Sequence, residues 1–362
     1  MANTSGEVLG PRTIELPAAE LLGRLGSIGV RVENAEGTEI PMQLTHDSLL
    51  IFMAEVAPGE EQVYKLYPQE TPVQYQPTVW GQEYPKRRDD ISYENELVGF
   101  RIYGPGTQQA GEKAFGYDIF FKHPTDELIV PQLYAPETDD AVWAKVDSLR
   151  QVDPKLADEF IGTFSYHIDH GLGMDCYAVG PTLGAGVAAL ASEESIWYPW
   201  CYEKAEILDN GPLRFTLALE FPESVVNGDT IREHRLITLD SQSHLNKTKV
   251  RYEGLGSACD VVAGFPLRDE TAPITDGTKG ILAYSDPTQG PENGRALLGI
   301  TMKDGCDVAE RDGHILAVRR IAPEESFDYC WGFAWDCADI NSLEEWAAYL
   351  LSSKKNYEVR IK

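Results

Sequence analysis

Between Leu213 and Phe221 every second residue is large and apolar. Leu213, Phe215, Leu217, Leu219 and Phe221 alternate with Arg214, Thr216, Ala218 and Glu220. A period of two is the signature of a strand with one buried face, because successive side chains leave a pleated backbone on opposite sides. Asp209-Asn210-Gly211 and Asn227-Gly228-Asp229 bracket this strand as turns, and Asp304-Gly305 and Asp312-Gly313 repeat the signal further on. Strand and turn signals recur from Ile91 to the end of the chain. Glycine (32) and proline (22) are frequent enough to supply those turns. One helix is legible. Ser342 with Glu345 forms a capping box, and Trp346, Tyr349 and Leu350 share one face of the helix that it starts. No internal repeat of 20–50 residues is apparent, which disfavours a propeller or solenoid. The expected fold class is therefore mainly β, with large antiparallel sheets packed face to face and one C-terminal helix.

The expected domains are a small β-sandwich-like unit over 1–70, a proline-rich linker over 71–90 and a large β domain over 91–362. In the first, Ile28, Val30 and Val32 alternate with polar or small residues, and the apolar runs 48–56 and 62–67 flank a turn at Ala57-Pro58-Gly59-Glu60. The linker ends in Lys86-Arg87-Arg88-Asp89-Asp90.

The chain carries 58 acidic against 31 basic side chains, a formal charge of −27. A field of that sign repels nucleic acid and anionic lipid, so neither is expected as a partner. No stretch reaches the roughly 18 apolar residues of a membrane span. A soluble chain is expected, cytoplasmic as it stands and periplasmic if an export signal preceded it. The six cysteines are dispersed without CxxC spacing, which favours neither a zinc ribbon nor a disulfide framework. No Gly-x-Ser-x-Gly, His-Glu-x-x-His, kinase or dinucleotide fingerprint is present. No cofactor is expected.

The densest polar cluster is Tyr166-His167-Ile168-Asp169-His170, continuing to Asp175-Cys176-Tyr177. Read as a strand, it places His167 and Asp169 on one face and Tyr166, Ile168 and His170 on the other. Imidazoles suit proton transfer near neutrality. Two rings on opposite faces do not suit a metal, and no metal site is expected. Gly180-Pro181-Thr182-Leu183-Gly184-Ala185-Gly186 lacks a P-loop lysine and reads as a tight turn before a close-packed strand. Trp197, Trp200 and Tyr202 precede Lys204; such rings stack on sugar faces or fill a core. Arg232, His234 and Arg235 lie in one strand, and Lys247, Lys249 and Arg251 share one face of the next. Cations so placed are either solvated or bind carboxylate or sulfate.

Tyr93-Glu94-Asn95, Phe100-Arg101-Ile102-Tyr103-Gly104-Pro105, Asp169-His170-Gly171, the 180–186 glycine segment and Ile207-Leu208-Asp209-Asn210-Gly211-Pro212-Leu213-Arg214 together resemble the family called domain of unknown function 4861. The resemblance extends over residues 13–361. It implies a galactose-mutarotase-like supersandwich and a setting among polysaccharide-degrading enzymes, often those that open unsaturated uronic acids. Fold-level likeness does not fix a reaction. The expected activity is β-elimination, by a lyase or dehydratase, on a uronic-acid residue of an anionic oligosaccharide. His170 is expected as base and Tyr177 as acid, with His167 and Asp175 as alternates. Arg235, Lys204, Arg101, Trp197 and Tyr202 are expected to bind substrate. A non-catalytic carbohydrate-binding protein and an aldose epimerase or mutarotase-like enzyme are the alternatives.

Overall fold

The computed structural model describes residues 1–71, 73–193 and 195–362. Pro72, in the expected linker, and Glu194 lie outside the described residues. The chain is mainly β, with 39% strand against 17% helix, and the paired strands run antiparallel. The predicted strand forms over Arg214–Glu220, with Leu213, Phe215, Leu217, Leu219 and Phe221 buried.

That strand belongs to a nine-stranded sheet built largely of sequence neighbours. Lys204–Asn210, Arg214–Glu220, Asp229–Asp240 and Leu245–Glu253 follow in order; Phe327–Trp335, Arg295–Thr301, Ile281–Pro287 and Ile274–Asp276 complete a row of eight, and the ninth strand, Ser224–Val226, pairs with Asp229–Asp240 off that row. One face of this sheet covers two five-stranded sheets. One of these runs from Trp80–Tyr84 to Gly173–Met174 through Asp90–Glu94, Gly99–Ile102 and Asp118–Lys122. The other is centred on Cys259–Pro266 and His314–Ile321. Aromatic pairs tie the layers: Trp331 stacks on Tyr117 at 4.0 Å and meets Phe100 edge-on at 5.1 Å, and Tyr93 stacks on Phe215 at 4.7 Å. The result is the expected antiparallel supersandwich.

On the outer face of the large sheet lies the predicted C-terminal helix, Leu343–Ser353. Ser342 caps it by accepting a hydrogen bond from the Glu345 N–H at 3.2 Å, and Trp346 and Leu350 are fully buried against Leu297 and Ala334. Five other α-helices among the described residues escaped the sequence reading, including the pair Asp140–Val152 and Pro154–Gly162. Two further corrections arise. Ile28 is exposed, because the strand begins at Val30. Residues 80–84, inside the expected linker, form a strand paired with Asp90–Glu94.

The N-terminal residues form two three-stranded sheets with helix Ala18–Leu25 and a separate apolar core. They meet the large sheet through charge. Arg214 donates to Asp240 at 2.6 Å and to Glu15 at 2.5 Å, and Lys247 donates to Asp240 at 3.0 Å. Burial opposes ionisation of Asp240, but Lys247 and Arg214 more than offset it and hold the carboxyl well below its usual range. A depressed folded-state pKa adds stability above the unfolded pKa and loses it in acid. Asp240→Asn is therefore expected to cost about 1–3 kcal/mol at pH 7. The gap to wild type should close as pH falls below about 4. Urea titrations across pH check this; a gap that does not vary with pH would contradict it.

Candidate functional site

The strand Asp90–Glu94 is preceded by a tight turn. Pro85–Arg87 forms one 3-10 turn, and Arg88 and Asp89 follow with φ of 60° and 64°. Left-handed backbone at two successive non-glycine residues is uncommon and marks an over-determined site. It turns the Lys86-Arg87-Arg88 run into one wall of a cleft of about 500 Å³. Arg101, from the strand Gly99–Ile102, and Lys113 also line it; Tyr166, His167, Asp175 and Tyr177 line it too. Five cations thus line it beside three carboxyls (Asp90, Glu112, Asp175), and four of the five are ion-paired: Lys86 with Asp140, Arg87 with Glu137, Arg88 with Glu112, and Arg101 with Asp118 and Asp175.

At the cleft's base Arg101 is buried, and most of its donors are used. Its guanidinium contacts Asp118 through Nε (2.8 Å) and Nη2, and it donates to Tyr134 at 3.2 Å, Tyr103 at 3.0 Å and Asp175 at 3.0 Å. Arg101 therefore organises the floor rather than offering a free fork to a ligand. Asp175 is fully enclosed. Burial, with Asp118 adding to it and Arg101 opposing, raises its carboxyl to about 7. Burial likewise lifts Asp90 to about 6, against the pull of Arg101.

The expected strand at Tyr166 is instead a turn, so the two-face argument for its histidines does not apply. Asp169 pins this turn, accepting from Gly171 N at 2.7 Å and Gly173 N at 3.1 Å while its other oxygen meets His123 Nε2 at 2.8 Å. The turn brings His167 to the cleft and leaves His170 exposed, outside the lining. His167 Nδ1 lies 2.8 Å from the Asp175 backbone carbonyl. A carbonyl only accepts, so Nδ1 carries the hydrogen and a neutral ring presents a lone pair at Nε2. Beside it Arg87 donates to the Tyr166 hydroxyl at 2.6 Å and lies over the rings of Tyr134 and Tyr166, 4.8 and 4.9 Å from their centres. Its Nε is buried without a hydrogen-bond partner. Sequence reasoning missed Arg87, although three successive cations in so acidic a chain were a signal.

Tyr177 is buried at the other side of the cleft, under the Arg268 guanidinium, which lies 4.9 Å from its ring centre. Burial, then the charge of Asp286, pushes its hydroxyl well above the usual range, so it keeps its proton. The structure thus brings together His167, Asp175, Tyr177 and Arg101. It does not bring in the other expected residues. Arg235 is 3% exposed and enclosed by Glu233, Tyr117 (3.1 Å) and the Ala188 carbonyl (3.1 Å). Lys204 pairs with Glu220 at 2.9 Å on the exposed edge strand. Trp197 lines a separate groove, and Tyr202 is buried with its hydroxyl on the Asp89 carbonyl at 2.5 Å. The 180–186 segment is a tight turn: Gly180, Gly184 and Gly186 have positive φ, and a Cβ on Gly184 would run into the Tyr117 carbonyl oxygen. Among the described residues no group of three or more His, Cys, Asp or Glu is placed to hold a metal ion. No described helix is long and apolar enough to cross a membrane.

Three comparisons bear on this chain. The profile of the family described as "Domain of unknown function (DUF4861)" matches residues 1–362. "Uncharacterized protein P7" of Formosa agariphila is 25% identical over 331 residues, covering 86% of this chain and 77% of the relative. Among solved structures, an α-mannosidase from Enterococcus faecalis V583 aligns with a TM-score of 0.45 and 11% identity over 98% of this chain and 44% of its own. A protein in glycosyl hydrolase family 38 from Enterococcus faecalis aligns with a TM-score of 0.45 and 10% identity, over 98% of this chain and 46% of its own. The chain spans less than half the length of those two structures.

Proposed function

This chain belongs to the DUF4861 family, and we propose that it catalyses β-elimination on a uronic-acid residue of an oligosaccharide, in the cleft between Arg87 and Tyr177. The observation that carries this reading is a cleft that sets an imidazole, held at Nδ1 by the Asp175 carbonyl, beside five basic side chains in a strongly acidic chain. Elimination beside a carboxylate needs its charge neutralised, a base for the adjacent proton and an acid for the leaving oxygen. Arg87, with the neighbouring Arg88 and Lys113, takes the carboxylate. His167 Nε2 removes the proton at C5. The C5–H pair becomes the C4–C5 double bond, and the C4–O bond breaks. Tyr177 supplies the proton that leaves with the oxygen, as water from a dehydratase or as an alcohol from a lyase. Asp175 holds His167 through its backbone carbonyl, and Arg101 holds Asp175.

The test is incubation of the full chain with a panel of uronate-containing oligosaccharides. The readouts are the far-ultraviolet band of the conjugated product and the product masses, which separate loss of water from chain cleavage. A folded protein that gives no conjugated product from any uronate would count against the reading. Arg87→Gln is expected to raise KM for a uronate substrate about 10–100-fold, the worth of one charge-assisted contact. An unchanged KM would remove Arg87 from the carboxylate site.

A further inference from the structure

Next to the charged cleft lies a groove of about 540 Å³ with a different character. Its walls are Trp197, Trp200, Phe221 and Val225, and its floor carries Glu233 and Tyr252. Trp200 is 57% exposed and Val225 70% exposed. The segment that supplies the tryptophans also touches chain neighbours of the cleft lining. The Tyr202 hydroxyl binds the Asp89 carbonyl, between cleft residues Arg88 and Asp90, and Tyr198 stacks at 5.4 Å on Phe115, which follows cleft residue Ala114. Cleft and groove are therefore linked through the loop 198–202.

We propose that this groove binds an uncharged pyranose ring adjoining the uronate in the cleft, an inference that rests on the uronate reading of that cleft. The chemistry of the lining narrows the ligand. No lysine or arginine lines the groove among the described residues, and Glu223 and Glu233 disfavour an anion. Glu233 is already paired with Arg235, so a cation gains little. A purely apolar ligand would leave the Tyr252 hydroxyl, 1% exposed residue and all, without the partner it lacks in the structure. A sugar satisfies both sides: its C–H face stacks on tryptophan, and its hydroxyls reach Tyr252 and the free oxygen of Glu233.

Calorimetric titration of the full chain with neutral gluco-, manno- and galacto-disaccharides tests this directly. At least one should bind wild type. Trp200→Ala, which removes an exposed ring, and Tyr252→Phe, which removes one oxygen, should each weaken it about tenfold with unchanged melting curves. Arg87→Gln should bind it as wild type does. Absence of heat from every disaccharide, or wild-type affinity in Trp200→Ala, would overturn the proposal. The two readings fail separately. Trp200-dependent binding without uronate turnover would leave the groove standing and sink the elimination. Uronate turnover without neutral-sugar binding would do the reverse.

Discussion

His167→Ala is expected to lower kcat on a uronate oligosaccharide by about 10²–10⁴-fold, the usual worth of a positioned general base. Its fold should survive, because the His167 side chain is 53% exposed and sits on a turn whose hydrogen bonds are made by others. Asp169 holds Gly171 and Gly173, and Asp175 N donates to the Tyr166 carbonyl at 2.8 Å. Removal of the imidazole costs one hydrogen bond, to the Asp175 carbonyl, worth about 0.5–1.5 kcal/mol. His167→Asn sharpens the test: its amide can still donate to that carbonyl but has no basic nitrogen. It should match alanine in kcat while melting closer to wild type. His170→Ala, on the exposed side of the same turn, should keep wild-type turnover. Loss of activity in His170→Ala with full activity in His167→Ala would reverse the assignment and move the chemistry out of the cleft.

That contrast between two neighbouring histidines shows where sequence pattern stops being informative. Alternation identified the strand through Phe215 and Leu217, although Arg214 and Thr216 on its other face are buried as well. Applied to Tyr166–His170 it failed, because Asp169 bonds forward to two glycine N–H groups and makes a turn. The spacing Asp169-x-Gly171-x-Gly173 was the available signal. Arg235 illustrates a second limit. Ile231, Glu233, Arg235, Ile237 and Leu239 share the buried face of one strand, so this arginine is enclosed by its own pairings. A strand rich in charge reads as solvated unless the flanking apolar residues decide which face is inside. Tyr177 and Asp175 were legible as polar residues in a dense cluster, but Arg87 joins them only through long-range packing. The helices Asp140–Val152 and Pro154–Gly162 carried legible start signals that went unread, the N-capping Asp139 and Asp153 and the first-turn Pro154.

The largest expected effect on stability is at Lys122, a side chain with no exposure whose partner Glu94 is 1% exposed. Lys122 Nζ donates to Glu94 at 2.9 Å and to the carbonyls of Asn95 and Glu127, each at 2.7 Å. Glu94 also accepts from Ile129 N at 2.9 Å and Val130 N at 2.8 Å, where the helix Val130–Glu137 begins. Lys122→Met keeps the volume but leaves a buried carboxylate without its cation, and should cost about 3–5 kcal/mol at pH 7. Burial already raises the Glu94 pKa, against the pull of Lys122, and loss of the lysine raises it further. A raised carboxyl penalises folding above its folded-state pKa, and that penalty fades as pH falls towards the unfolded value. The variant should therefore recover stability relative to wild type between neutral and mildly acidic pH. Adding Glu94→Gln to Lys122→Met should restore a large part of the loss at pH 7, since no buried charge remains. The helix anchored by Glu94 carries Tyr134 and Glu137, which pack against Arg87 in the cleft. Uronate turnover in Lys122→Met should accordingly fall on warming before the global melting transition. Urea unfolding of the two variants, compared with temperature-dependent kinetics, decides it: a wild-type midpoint for Lys122→Met at pH 7 would show that this pair does not hold the cleft together.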